Sequence, residues 1–211
     1  RWLADSAGLA LPTSQWPLPH RAVRAALNDL PATLEAPLEA ARQRVLAELD
    51  REAGPIAEAQ WASRREIVGA YGEGSATGRA VAARSGRYDS GRVAARLGLR
   101  ATPDAGSFSD RARVDIEGSE VALRAAGWQL QAFDRRSWWG PGWQSALALS
   151  DNAPALLGIG VQRAEVRPSS SRWLSWMGPW NAEIFVGRLE RDVGRRQQSN
   201  LGGTRLTLKP H

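Results

Sequence analysis

The sequence predicts a mainly β protein with an N-terminal α-helical segment, and three observations carry that reading. Residues 1 to about 57 are rich in Ala, Leu and Glu, whereas most of the Gly and Trp follow. From Trp61 onward the apolar spacing changes from a helical period of about 3.6 to a strand period of 2. Turn-forming clusters then punctuate the chain at short intervals, as in an all-β sandwich or a barrel. The expected division is residues 1–57 as a helical segment and residues 58–211 as antiparallel strands.

The first element, Trp2 to Leu11, is a short apolar stretch closed by Pro12. Trp16-Pro17-Leu18-Pro19 is a stiff extended connector, because each proline fixes φ and restrains its predecessor. His20 to Leu30 is predicted helical, with Val23, Ala26, Leu27 and Leu30 on one face and Pro31 as its stop. A second helix begins near Leu34, takes Pro37 in its first turn and buries Leu38, Ala41, Val45, Leu46 and Leu49. Gly54-Pro55 ends it.

In the second part, Arg92 to Ala101 reads as one strand. Val93, Ala95, Leu97, Leu99 and Ala101 share one face, and Arg92, Arg96 and Arg100 share the other. Arg113 to Ser119 splits likewise, with Val114, Ile116 and Gly118 opposite Arg113, Asp115, Glu117 and Ser119. Leu206 and Leu208 oppose Arg205, Thr207 and Lys209. Further strands are expected at 65–72, 79–87, 128–134, 144–150, 157–163 and 182–189, with a tight turn at 102–106 and a longer loop at 167–171. An apolar face opposite arginines suits a lipid-facing strand with a wet lumen, and it equally suits a soluble sandwich with one wet face.

Composition narrows the chemistry. There is no cysteine, and the two histidines are His20 and His211, so disulfides, thiol catalysis, zinc-thiolate sites and histidine triads lack material. No cofactor or metal is expected. A net charge of +6, carried almost wholly by arginine, favours polyanionic partners. No run of 18 apolar residues predicts a transmembrane helix, but barrel strands need only about 9 to 11 residues each, so a mean hydropathy of −0.39 does not bear on a barrel. Arg1 in place of Met, and a final strand-like alternation at 206–211, suggest that a signal segment and further strands lie outside the sequence.

Ten tryptophans against three phenylalanines and two tyrosines demand a reason. Indole favours membrane interfaces, stacks on sugar rings and packs at corners. The stretch Trp138-Trp139-Gly140-Pro141-Gly142-Trp143, running into Ser145 to Ser150 and Asn152-Ala153, resembles the most distinctive motif of the capsule-assembly Wzi family. Leu3-Ala4-Asp5-Ser6 with Leu11-Pro12-Thr13 and Trp16-Pro17-Leu18 is similar to its entry segment. Trp173-Leu174, Gly178-Pro179-Trp180, Phe185, Gly187, Leu189 and Glu190 give a third match. Pro154 directly follows Ala153 where the family usually has an arginine, so no ligand role of that arginine carries over. Ser14-Gln15 replaces a more threonine-rich pair.

The resemblance implies a bacterial outer-membrane β-barrel, 18-stranded when whole, with helices closing its periplasmic side. Roughly 150 residues after the helices would supply about 9 or 10 of those strands. It also implies a non-enzymatic, lectin-like role in attaching and organising capsular polysaccharide at the cell surface. The expected partners are an acidic capsular polysaccharide and outer-membrane lipid, with no nucleic acid, and the protein is expected to be a monomer.

The candidate polysaccharide-binding residues are Arg92, Arg96, Arg100, Arg135, Arg136, Trp138, Trp139, Trp143 and Arg163. On a flat strand Arg92, Arg96 and Arg100 would stand about 13 Å apart, a spacing suited to successive acidic sugars. Pairing of these arginines with Asp115 and Glu117 is the structural alternative. A carbohydrate-active enzyme would need a carboxylate pair, for which Asp115, Glu117 and Asp134 are available. A nucleic-acid module is disfavoured, because the arginines are dispersed through strands and not gathered in one recognition element.

Overall fold

The computed structural model describes residues 2–61, 79–102, 113–140, 142, 146, 149, 155–189 and 200–210. Three helices come first: α1 (Trp2–Ser6), α2 (His20–Asn28) and α3 (Ala36–Ala53). Leu3, Val23, Leu27 and Leu49 form their buried centre, with Leu38, Ala41, Val45 and Leu46 packed around it. Of the stripes set by helical periodicity, Val23, Leu27 and Leu49 are buried, Leu30, Leu38, Ala41, Val45 and Leu46 are half-buried around them, and Ala22 is buried in place of the expected Ala26. The Gly54 N–H closes α3 on the Arg51 carbonyl, and Pro37 lies in the first turn.

The short β1 (Gln15–Trp16) precedes α2. After α3 come β2 (Ile56–Trp61), β3 (Arg79–Arg84), β4 (Tyr88–Asp89), β5 (Val93–Arg96), β6 (Gly98–Thr102), β7 (Arg113–Asp115) and β8 (Ser119–Ala125). They are followed by β9 (Trp128–Arg135), β10 (Trp138–Trp139), β11 (Leu156–Arg163), β12 (Arg167–Pro168), β13 (Pro179–Leu189) and β14 (Asn200–Leu208). All strand pairings among the described residues are antiparallel. One sheet runs β4-β5-β8-β9-β11-β13-β14, with β12 also on β13, and a second runs β2-β3-β6-β7.

The two sheets are sections of one meander. β5 and β6 are consecutive in the chain, as are β7 and β8, yet β5 pairs with β8 and β6 with β7. The register shifts at this crossing, where Leu97 and residues 116–118 leave the ladder. The sequence predicts a single strand over 92–101 and another over 113–119, and the glycines explain why each is broken. A Cβ on Gly98 would stand 2.2 Å from the Glu117 carbonyl oxygen, and Gly118 has φ +92°, so the backbones meet more closely than any side chain allows. Ser119 Oγ bridges the gap, accepting from the Gly98 N–H at 2.9 Å and donating to its carbonyl at 3.1 Å.

Expected strands at 79–87, 128–134, 157–163 and 182–189 correspond to β3, β9, β11 and β13. The expected strand at 65–72 and nearly all of the 102–106 turn lie outside the described residues. Of 144–150, Leu149 makes a bridge to Trp139. The 167–171 loop begins as β12, continuing the line of β11 along β13, and leads into a 3-10 helix at Arg172–Met177.

The two faces of the meander differ sharply. Along β9, Gln129, Gln131 and Phe133 are buried while Trp128, Leu130 and Ala132 are exposed. Leu97, Leu99, Val121, Leu123, Leu157, Ile159, Val161, Ile184, Val186 and Leu206 continue the exposed apolar face, each at 40 % or more of its free area. Burial on the polar face and exposure on the apolar one inverts the soluble pattern and matches a barrel whose outside meets hydrocarbon. Among the described residues, no helix is long and apolar enough to cross a membrane.

Candidate functional site: the arginine-lined inner face

The inner face is roofed at one end by the helices and holds a cavity of about 670 Å³ between them and the strands. Period-2 alternation places Arg84, Arg96, Arg100, Glu120, Arg124 and Arg135 on this face. Nine arginines and five glutamates line the cavity, and Asp89, Glu165 and Glu183 pair with three of those arginines from beside it.

Most of these charges are paired. Glu117 receives Arg136 at 2.7 Å and Arg100 at 3.7 Å. Arg87 meets Glu120 at 3.3 Å, Arg84 meets Glu58 at 3.2 Å and Arg135 meets Glu183 at 3.5 Å. Arg124 donates to Asp89 at 2.8 Å and to Gln129 at 3.0 Å. Gln129 and Gln162 both donate to Gln131 at 3.3 Å, which continues the network across three strands. Paired in this way, the guanidinium groups are held rigidly, and a row of polar side chains survives the low-dielectric interior.

The structure sorts the sequence candidates into three groups. Arg96, Arg100, Arg135 and Arg136 converge on the cavity. Arg96 donates to the main-chain carbonyl of Glu52, and so binds the strands to the last turn of α3. Arg92 is exposed in the turn between β4 and β5, where its carbonyl accepts the Arg124 N–H at 2.7 Å, so the expected row of three arginines contains two. Arg163 points to the outer face at the helix-bearing end, with its guanidinium 4.0 Å from the Trp180 ring centre.

Trp138 and Trp139 form the third group. As β10 they pair with Trp16 and Gln15 of β1, on the inner face and away from the sheet's rim. Trp138 has 0 % exposure, and Trp139 meets Phe185 edge-on with ring centres 5.2 Å apart. Gly203 makes room for them, since a Cβ there would lie 2.6 Å from Phe185 Cε1 and 3.1 Å from Trp139 Cη2. Trp143 lies outside the described residues.

Asp115 and Glu117 face inward, with Glu117 held by two arginines, while Asp134 belongs to the outward set of β9. Alternation alone puts Glu120, Arg124, Gln129 and Gln131 on the inner face, and sequence reasoning that followed the 92–100 arginines passed over them. Glu52 gave no such signal, because its part depends on where α3 ends in space.

Glu52 also ties the helices to one another. His20 Nε2 lies 2.9 Å from its carboxylate, and this hydrogen bond, with Arg96 and Arg84 nearby, holds the Glu52 pKa below its ordinary value. A lowered carboxylate pKa gives stability that is complete above the unfolded value and lost as pH falls through the folded one. Unfolding of the helical roof in detergent, followed by urea titration between about pH 6 and pH 3, should show this loss, and Glu52→Gln should flatten the slope.

The family described as capsule assembly protein Wzi matches residues 56–211. The chain belongs to the Wzi family. A solved Wzi structure from Escherichia coli, described as an outer-membrane protein involved in group 1 capsule assembly and a carbohydrate-binding β-barrel, superposes with a TM-score of 0.76 at 21 % identity. That match covers 100 % of this chain and 47 % of the solved one. An uncharacterized 55.8 kDa protein in the cps region of Klebsiella pneumoniae is 28 % identical over 103 residues, which is 49 % of this chain and 20 % of that protein. The chain thus spans about half the solved Wzi barrel, which accounts for sheets that do not close on themselves.

Proposed function

We propose that the full-length protein is a non-enzymatic outer-membrane barrel that attaches and organises an acidic capsular polysaccharide at the cell surface in a lectin-like manner, acting as a monomer. The observation that carries this reading is the arginine-rich lining of the cavity between the helices and the inner face of a strand meander that is apolar outside. Planar guanidinium groups suit sugar carboxylates, and a confined site of low dielectric strengthens each such contact. Capsule assembly as the setting follows from family membership, and carbohydrate binding is what the solved Escherichia coli relative is described as doing.

Arg100 and Arg136 are the most informative residues to change. They share Glu117, so loss of either leaves that carboxylate paired. Arg100→Gln and Arg136→Gln, made singly, should each leave heat-modifiable migration intact while weakening retention of an acidic capsule, on the order of tenfold for a lost charge-assisted contact. Added salt should weaken the wild type in the same direction. Full capsule retention with no salt dependence would assign these arginines to architecture alone.

A further inference from the structure

The third Trp-rich motif has no part in the cavity. It lies at the helix-bearing end of the meander, where Glu165, in the β11–β12 turn, pairs with Arg21 of α2 at 3.7 Å. Trp128 and Trp180 face outward there, edge-on with ring centres 6.3 Å apart, and Arg163 covers the Trp180 ring. Arg163 also donates to the carbonyls of Arg167 at 3.1 Å and Trp180 at 3.3 Å, which holds it at the rim. Below them hangs the Arg172–Met177 3-10 helix, with Trp173 at 88 % and Trp176 at 64 % of their free areas.

Two indoles so exposed are unfavourable in water, and the neighbouring chemistry indicates what covers them. Their helix runs through Gly178 directly into β13, whose Ile184 and Val186 belong to the exposed apolar face, so the two indoles lie just beyond the end of that strand. The segment from Arg163 to Arg172 carries Arg163, Arg167 and Arg172 against Glu165, which itself pairs with Arg167 at 3.0 Å. An apolar belt ending in indoles beside a net positive edge is complementary to a phospholipid surface, with acyl chains above and phosphodiesters below.

We propose that the Arg172–Met177 helix, with Trp128, Trp180 and Arg163, is a docking surface for glycerophospholipid headgroups of the leaflet at the helix-bearing end, and that it sets the depth of the barrel in the bilayer. Trp173 and Trp176 lie in the interface, and the arginines meet phosphodiester oxygens. This rests on the outward face meeting hydrocarbon, as the proposed function requires.

The test uses full-length protein in nanodiscs of phosphatidylethanolamine and phosphatidylglycerol, with bromine on the acyl chains close to the headgroup. The difference in emission between wild type and Trp173→Phe/Trp176→Phe isolates the two indoles. The expected result is strong quenching of that difference signal by brominated lipid, protection from aqueous acrylamide, and loss of co-purified phosphatidylglycerol in Trp173→Ala/Trp176→Ala/Arg172→Gln. Heat-modifiable migration should be retained in every variant. An intact barrel whose difference signal is quenched by acrylamide and not by brominated lipid would overturn the inference alone, and would leave the indoles as a contact for a soluble protein. Absence of heat-modifiable barrel in the wild type would overturn the lipid-facing reading together with it.

Discussion

Gly98→Ala is expected to abolish assembly of the barrel. The added Cβ would meet the Glu117 carbonyl oxygen at 2.2 Å and the Gly118 carbonyl carbon at 2.8 Å, both backbone atoms with no rotamer to escape into. Ordinary overpacking costs about 1–3 kcal/mol, and here the backbone itself must separate, so the cost should exceed that range. The crossing of β5–β6 over β7–β8 would lose its Ser119 bridge at the same time. Heat-modifiable migration of the full-length protein reads this directly. Leu97→Ala, one residue away on the exposed outer face, should assemble as the wild type does.

Trp138→Ala should rank next. Trp138 is fully enclosed, and its strand β10 ties the inner face to β1 through main-chain pairing with Trp16. Removing a buried indole leaves a large cavity and typically costs about 3–5 kcal/mol. The loss should appear as a lower urea midpoint in detergent, before any change in glycan binding. Trp173→Ala, at an exposed site, should leave that midpoint unchanged. A Trp138→Ala protein of wild-type stability that no longer binds glycan would instead make the indole a sugar platform.

Much of this fold could be read from the chain because its two periods are strong. Val23 and Leu27 recur at helical spacing and are buried, while Leu157, Ile159 and Val161 recur at strand spacing and are exposed. Alternation gave the parity of each strand but not the sign of burial. A sandwich and a barrel share that parity, and the motif resemblance separated them. The break at Leu97 was hidden because parity runs unaltered from Arg96 to Arg100, although Gly98 and Gly118 marked it. The candidate site was legible in part. Arg96 and Arg100 follow from spacing, and Arg92 fails because Ser90-Gly91 turns the chain there, with the Gly91 N–H capping on the Asp89 carboxylate at 2.8 Å. Arg163 is one residue past the inward Gln162, so counting by two from Gln162 places it outside. The contact from Arg96 to Glu52 joins residues 44 apart in sequence, and no local pattern encodes it.

Which face of the strands meets lipid decides between a barrel and a sandwich, and the absence of cysteine makes it directly measurable. Single cysteines carrying nitroxide labels at Val121, Ala122, Leu123, Leu130, Gln131 and Ala132 of the full-length protein in bilayers report collision with oxygen and with a water-soluble nickel chelate. Val121, Leu123, Leu130 and Ala132 are expected to collide freely with oxygen and hardly at all with nickel, while Ala122 and Gln131 show low oxygen access. High nickel access at the four outward positions would place them in water and contradict the barrel.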